Sequence, residues 1–494
     1  MSQQGGPTRR VRGLETEYGL QLRVEAAGLP EGRGGQQQWR RLGSDEAAHQ
    51  LFAPVVAANA ATNVYLRNGG RLYLDVGSHP EYATAECSTL AELLAQDRAG
   101  DLVVSRLAER SVAALAEAGQ VARVSVFKNN VDSHQNSYGS HENYQVSRLL
   151  AGGELSGVVA HLTAFLVSRQ LLCGAGHWQR DRLGRGRFLI SQRAQHMWDP
   201  MGSATTRNRP LVNTRDEPHA DPQRFRRLHV IVGDSTMLEP STLLRVGSTE
   251  LVLRALEDGH RLDQLVVDEP GRVIREVAAD TTGRTPVTRD GLTALAVQEQ
   301  CWQLATGYAD DEELRQVHEL WGRVLAALQD GALERVERQV DWVAKRRLLL
   351  AQQQRHAMGP DDPRLAQLDL AWHDVVAGQG LARLAESRGQ LERWLSEGAA
   401  EQAVETPPAT TRAVLRSRFL DAAQRHRRSH TVDWMRFTCQ DLTDGGVMVD
   451  DPLATTSDEL DEVLQRMARE PRRASSQGFR QGPSTSFGGS VPIG

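Results

Sequence analysis

Hydrophobic and polar residues alternate with a period of two along Arg71-Leu72-Tyr73-Leu74-Asp75-Val76, the pattern of a strand. Leu72, Leu74 and Val76 face a core on one side, and Arg71, Tyr73 and Asp75 line the other. Gly77, Ser78 and Pro80 end the strand and turn the chain, and Glu81, Thr84 and Glu86 follow at once. The same alternation predicts a strand over 11–19, with Glu15 and Glu17 on one face and Leu14, Thr16 and Tyr18 on the other. Further strands are predicted over 121–130, 140–146, 187–191, 228–234 and 431–439. In the second of these His141 and Asn143 share a face; in the fourth His229 alternates with Ile231, a placement more typical of a core or surface histidine than of a ligand. A 3.6-residue period predicts helices from Ser44 or Asp45 to Asn59, over 90–118 and over 157–170, the first with Leu51, Val55 and Val56 inward. That period dominates from 243 to 398, with an interruption between 268 and 291. It returns in a basic helix over 412–430 and a last helix over 456–469, opened by a Thr456–Glu459 capping box. The stretches 174–186 and 211–219 read as turns.

A chain of 494 residues exceeds one simple core, so two units are expected. The clearest break is Thr406-Pro407-Pro408-Ala409-Thr410. It separates a large catalytic domain, 9–405, from a small C-terminal domain, 406–470. Residues 1–8 read as a flexible tail, 26–43 as a mobile Gly/Gln/Arg-rich loop, and 471–494 as a disordered Ser/Gly/Arg/Pro-rich tail. Hydrophobic content of 40% and charged content of 24% are those of a soluble globular protein. A net charge of −5 gives no basic field for nucleic acid or an anionic membrane, and no apolar run reaches membrane-spanning length. The start lacks the apolar centre of a secretion signal. Cys87, Cys173, Cys301 and Cys439 are far apart, which suggests reduced thiols in a cytoplasmic protein and no zinc site.

The chain has no Gly-x-x-x-x-Gly-Lys-Ser/Thr loop, no Gly-x-Gly-x-x-Gly between strand and helix, and no Gly-x-Ser-x-Gly elbow. A nucleotide would therefore be held on a sheet with carboxylate-bound metal. Glu15, Glu17, Asp75, Glu81 and Glu86 supply oxygen ligands suited to magnesium. Arg71, Arg207, Arg209 and Arg215 can neutralise phosphate oxygens, bind carboxylates of a substrate, or pair with neighbouring acids. Acids and arginines together fit phosphoryl transfer, which depends on positioning and charge neutralisation. A carboxylate not bound to metal could act as a general base.

Several long stretches then narrow the field. Gly-Leu-Glu-Thr-Glu-Tyr-Gly at 13–19, the run from Asn63 to Thr84, Phe-Lys-Asn-Asn-Val-Asp at 127–132, Ser-His-Glu-Asn-Tyr at 140–144, Asn-Thr-Arg-Asp-Glu-Pro-His-Ala-Asp at 213–221 and Thr-Val-Asp-Trp at 431–434 closely resemble the Pup–protein ligase family. The resemblance covers roughly 9–469. It implies an α+β fold of the glutamine synthetase-like, carboxylate–amine ligase type: a large domain with a curved antiparallel sheet and packed helices, plus a small C-terminal α+β domain that completes the nucleotide site. It implies ATP and Mg2+, and as partners Pup, a small disordered protein modifier, and lysine-bearing target proteins. ATP would phosphorylate the side chain of Pup's C-terminal glutamate, and a target lysine would displace the phosphate to give an isopeptide bond that marks the target for the proteasome. By motif, Glu15, Tyr73 and Glu81 are implied as magnesium-site residues, Arg71, Thr84 and Trp434 as ATP contacts, and Asp75 as the base. A neutral phenol is a poor magnesium ligand, so Tyr73 would act through a water or by shaping the site.

Three rivals remain to be weighed. The sister enzyme that deamidates Pup and removes it from proteins carries a long extra loop before the catalytic aspartate. Here Glu15 and Asp75 stand 60 residues apart, and a helix takes much of that span. The other two are a small-molecule glutamate–amine ligase and a non-catalytic scaffold; the presence of Glu15, Asp75 and Glu81 together argues against the scaffold. Composition adds one oddity: Lys128 and Lys345 are the only lysines, and every other of the 58 lysine-plus-arginine residues is arginine. GC-rich codon usage explains that economically. Lys128, inside a motif, is expected to be buried or engaged and unmodified, and Lys345, in Trp-Val-Ala-Lys-Arg-Arg, to be exposed, so that any self-modification falls on Lys345 or the amino terminus.

Overall fold

A computed structural model describes residues 9–25, 38–75, 77–132, 135–204 and 208–471. The expected tails, most of the 26–43 loop, Val76 and Arg207 lie outside the described residues. The fold is α+β. Its centre is an eight-stranded sheet built from Arg12–Glu17 (β1), Asn63–Tyr65 (β2), Arg71–Leu74 (β3), Pro80–Ala83 (β4), Ser140–Ser147 (β5), Met197–Gly202 (β6), Arg209–Asn213 (β7) and Phe225–Val230 (β8). Across the sheet the order is β6-β7-β8-β5-β1-β4-β3-β2. All pairs are antiparallel except β6 with β7 at one edge.

Alternation decides the two faces. Leu14, Leu72, Tyr82, Tyr144, Val146, Leu228 and Val230 are buried. Helices Leu90–Glu117, Leu155–Ser168 and Glu239–Glu257 contribute side chains to the same apolar clusters. Each fully buried aliphatic side chain is worth about 1.5–3 kcal/mol. The first helix starts sharply: the Thr89 hydroxyl accepts from the Glu92 N–H at 3.1 Å while the Glu92 carboxylate accepts from the Thr89 N–H at 3.4 Å. Buried ion pairs fix helix Glu239–Glu257 to the sheet, with Arg12 of β1 on Glu250 at 3.2 Å, while Arg169 holds Glu142 of β5 at 2.7 Å. Past Tyr18 the chain enters a second, three-stranded sheet of Gly19–Glu25, Trp39–Arg41 and Ala122–Phe127.

At the C-terminal end, helices Ala413–Arg425 and Asp458–Arg469 enclose a cluster of their own with a three-stranded sheet. Leu415, Phe419, Phe437, Val447, Leu460 and Met467 belong to it.

Several expectations change. The 431–439 strand is a hairpin, His430–Val432 and Arg436–Cys439, with Trp434 in its turn. Arg209–Asn213 is a strand, and 174–186 contains the hairpin strand His177–Arg180, because backbone pairing outweighs polar composition there. Helix Pro270–Ala279 fills the expected interruption. The last helix is capped by Ser457, whose hydroxyl accepts from the Leu460 N–H at 3.2 Å, and not by Thr456. Val56 is 41% exposed, not inward. Thr406–Thr410 is a packed joint: Pro408 is buried and the Thr410 hydroxyl donates to Glu92 at 2.7 Å. Lys345 is fully buried, at 0% exposure, because its ammonium ion-pairs with Asp369 at 2.7 Å. The four cysteines are buried and unpaired, and among the described residues no helix is long and apolar enough to cross a membrane.

Candidate active site

Strand register assembles the polar face. Glu17 of β1 stands opposite Glu81 of β4, and Glu81 opposite Tyr73 of β3. One row on, Glu15 is flanked by Ala83 and His141; Ala83 faces Arg71, which faces Tyr65. Directly opposed residues project to the same side, so acids, phenol and guanidinium share one surface. Asp75 follows the last residue of β3. Its N–H donates to the His79 carbonyl and its carbonyl accepts from the Ser78 N–H, both at 3.0 Å, in a turn whose Gly77 has φ +87°.

Glu17, Asp75 and Glu81 each bring one carboxylate oxygen within 4.8 Å of the others. The approach needs Gly139, where a Cβ would stand 2.3 Å from Glu17 Oε1 and 2.7 Å from His141 Nε2. Burial, then the charges of Glu15 and Glu17, push the Glu81 carboxyl well above its usual range, against a hydrogen bond from Tyr73. Burial and the charges of Glu81 and Glu15 likewise keep the Tyr73 phenol protonated, as a donor to Glu81. Such crowding of acids is the electrostatic condition a hard cation relieves.

Glu15 is satisfied differently. His141 Nδ1 lies 3.1 Å from its Oε2, Asn143 Nδ2 donates to Oε1 at 3.0 Å, and Arg227 Nη1 and His229 Nε2 stand at 3.6 and 3.8 Å. Burial opposes its ionisation, but the His141 hydrogen bond and the pull of His229, His141 and Arg227 outweigh that and hold the carboxyl well below its usual range. Glu15, His141 and His229 form a second group with ligand atoms within 4.8 Å of one another. The acids border a cleft of about 710 Å³ that Arg209, Arg215, His196 and Asn208 also line. Arg209 donates to the Ser137 carbonyl at 2.5 Å.

The other end of the sheet face is aromatic. Arg71 donates to Asn63 Oδ1 at 2.8 Å and lies over the rings of Tyr73 and Tyr65, at 4.5 and 5.9 Å. Trp434 meets Tyr65 edge-on at 5.2 Å and 85°. Asn63, Tyr65, Arg71, Trp434 and His219 line a cavity of about 440 Å³. Trp434 also lines a smaller pocket that reaches Thr84, Asn143, Arg227 and Glu15. The buried Thr84 hydroxyl accepts from the Leu14 N–H at 3.0 Å, tying β1 to the segment after β4.

Glu86, grouped by sequence with the metal-ligating acids, is committed elsewhere. Its carboxylate accepts from Arg412 Nε at 2.8 Å and Arg416 Nη2 at 2.6 Å. Burial opposes its ionisation, but Arg416 and Arg412 hold its pKa at about 2. Arg416 also donates to the Gly69 and Trp434 carbonyls, both at 2.8 Å, and its guanidinium lies 4.9 Å from the Trp434 ring. Sequence reasoning did not find Arg227, His219 or this arginine pair. His229, read as an unremarkable strand histidine, pairs with Asn143 across β8 and β5 and so joins the site.

Residues 10–438 match the profile of a family described as Pup-ligase protein. The chain belongs to that family. The chain is also similar to the Pup–protein ligase of Actinosynnema mirum, 45% identical over 92% of this chain and 99% of that protein. It is 44% identical to the Pup–protein ligase of Sanguibacter keddieii over 93% of this chain and 100% of that one. Among solved structures, the ligase PafA in complex with the prokaryotic ubiquitin-like protein Pup superposes with a TM-score of 0.84 at 40% identity, covering 93% of this chain and 92% of the other. PafA in complex with ADP gives 0.77 at 41%, covering 86% and 94%. The small pocket that reaches both Glu15 and Trp434 lies between the carboxylate cleft and the aromatic cavity.

Proposed function

We infer that this chain is an ATP-dependent ligase that joins the C-terminal glutamate of Pup to lysine amines of target proteins, marking them for proteasomal degradation. The carrying observation is one continuous polar sheet face, with carboxylates at the cleft and Arg71, Tyr65 and Trp434 at the cavity, in a chain of the Pup-ligase family. In this reading adenine stacks on Trp434, while Arg71 and Thr84 contact the nucleotide. Glu81, with Glu17 beside it, would hold Mg2+, and Glu15 on the next row of the same face would complete the site. Tyr73 shapes that site by donating to Glu81. The donor set fits around Glu81: carboxylate oxygens of Glu17, Asp75 and Glu81 lie within 4.8 Å of one another, and Glu81 is crowded enough to resist ionising. The metal supplies neutralisation of phosphate oxygens.

The glutamate side-chain oxygen attacks the γ-phosphorus of ATP, giving an acyl phosphate and ADP. The target amine then attacks the acyl carbon, phosphate leaves with the C–O electron pair, and Asp75 takes the amine proton. Asp75 suits that role because it is partly exposed at the cleft. Arg209 and Arg215, across the cleft, face the anionic groups. Residues 406–470 complete the nucleotide site as a small domain. Four buried, unpaired thiols fit a reducing cytoplasm. Full-length similarity to proteins named ligases favours this reading over deamidation of Pup.

The experiment measures ADP release and Pup conjugation to a lysine-rich protein, with and without Pup, and with Mg2+ or chelator. Pup-dependent ADP release with isopeptide product is expected, and it stops on chelation. Deamidation of a glutamine-ended Pup without conjugation would establish the sister activity instead.

A further inference from the structure

The reaction above consumes amines, and the enzyme's own surface is the protein surface nearest to each acyl phosphate it makes. A tethered or adjacent amine competes at high effective concentration. This chain has two lysines, Lys128 and Lys345, and they are 1% and 0% exposed. Lys128 Nζ lies between Asp97 at 2.7 Å and Asp101 at 3.1 Å. Lys345 Nζ meets Asp369 at 2.7 Å, the Gly176 carbonyl at 2.8 Å and His373 Nε2 at 2.6 Å, one partner for each of its protons.

Amide formation needs the opposite condition. The nitrogen must shed a proton, turn a lone pair toward the acyl carbon and reach it from solvent. Neither amine can do so without leaving its ion pair and the protein interior. The surface is not short of long cationic side chains, since Arg185, Arg289 and Arg335 are all exposed and ion-paired. A guanidinium keeps its charge at any physiological pH and has no free lone pair to offer. Arginine therefore solvates this surface while remaining inert to the acyl phosphate.

We propose that the folded enzyme offers no side-chain amine to its own reaction: both lysine amines are sequestered in buried ion pairs, and arginine takes the place of lysine on the surface, so the side chains of the ligase escape the mark it writes. The proposal rests on the ligase reading above. It goes beyond that reading by making the distribution of lysine a protection of the enzyme, and it corrects the expectation that Lys345 would accept Pup.

The test uses the full chain with Pup, ATP and Mg2+, alone and with a lysine-rich test protein, followed by digestion and mass spectrometry of every lysine. A second chain carries Arg185→Lys, Arg289→Lys and Arg335→Lys, changes that keep charge and lie outside the site. The test protein is expected to gain Pup with both enzymes. The original chain should carry no adduct on Lys128 or Lys345, and the substituted chain should carry adduct on the new lysines. Adduct on Lys128 or Lys345 of the folded enzyme overturns the proposal. So does a substituted chain that stays unmodified while the test protein is conjugated, because something other than missing amines then protects the surface. If the test protein also stays unmodified, the ligase reading fails and the proposal falls with it.

Discussion

Asp75 leaves the sheet one residue after β3 ends, beside the buried carboxylates of Glu17 and Glu81. A base for an incoming amine needs that position, since the proton it takes must pass to water afterwards. Asp75→Asn should bind ATP normally and conjugate Pup at least ~100-fold more slowly, the scale of general-base loss. Nucleotide titration and conjugation rate measured on the same preparation check it, and near-normal conjugation would remove Asp75 from that role. The face that carries Asp75 was legible from alternation, because Arg71 and Tyr73 do share it with the acids of β1 and β4. The differing states of Glu15 and Glu81 were not legible. They depend on which strands lie beside β1 and β4, which brings histidines and Arg227 to Glu15 and a phenol to Glu81. Glu86 shows the limit plainly: a carboxylate two residues from Thr84 turns away from the cleft because two arginines from the far end of the chain reach it.

At the scale of elements, the hairpin turn that carries Trp434 is held from both sides. Asp433 Oδ1 accepts from the Met435 and Arg436 N–H groups at 2.7 and 2.6 Å, and Arg416 grips the Trp434 carbonyl. A ring positioned this firmly loses little freedom when a base stacks on it. Base–aromatic stacking is worth about 1–3 kcal/mol, so Trp434→Ala should weaken ATP binding roughly 5- to 150-fold, with Trp434→Phe between the two. Titration calorimetry of the three proteins decides it; equal affinities would take the tryptophan out of the nucleotide site. The anchor behind the hairpin makes a separate prediction. Glu86→Gln leaves two buried guanidiniums without their counter-charge, which costs about 3–5 kcal/mol when a buried pair is broken. The pKa of Glu86 is depressed in the folded chain, from 4.5 to about 2. Its contribution is therefore complete above pH ~4.5 and is lost as pH falls toward 2. Melting temperature against pH should drop over that window more steeply in the original chain than in Glu86→Gln, and parallel profiles would contradict the assignment.

On the scale of the whole molecule, the apolar clusters of the main body end at Val404, and the C-terminal cluster begins at Leu415. The two sides meet through polar and close contacts, among them Gly69 at φ +80°, where a Cβ would stand 2.9 Å from that of Ala413. A chain ending at Pro407 should thus keep its helical circular dichroism, melt at lower temperature because Glu86 is left unpaired, and lose nucleotide binding. Retained nucleotide affinity in that folded fragment would show that the main body suffices. The sequence by itself determined the periods, and with them the polar face of β1 and β3 and the long helix after Thr89, because these depend on neighbours a few residues apart. Motif order determined the family and, through it, the α+β class. Tertiary structure alone decided that Arg209–Asn213 is a strand, that His229 and Arg227 serve Glu15, that Arg412 and Arg416 claim Glu86, and that Lys345 is sealed inside. Each of those outcomes turns on a partner far away in the chain, and burial and charge pairing are properties of the assembled molecule that no local pattern encodes.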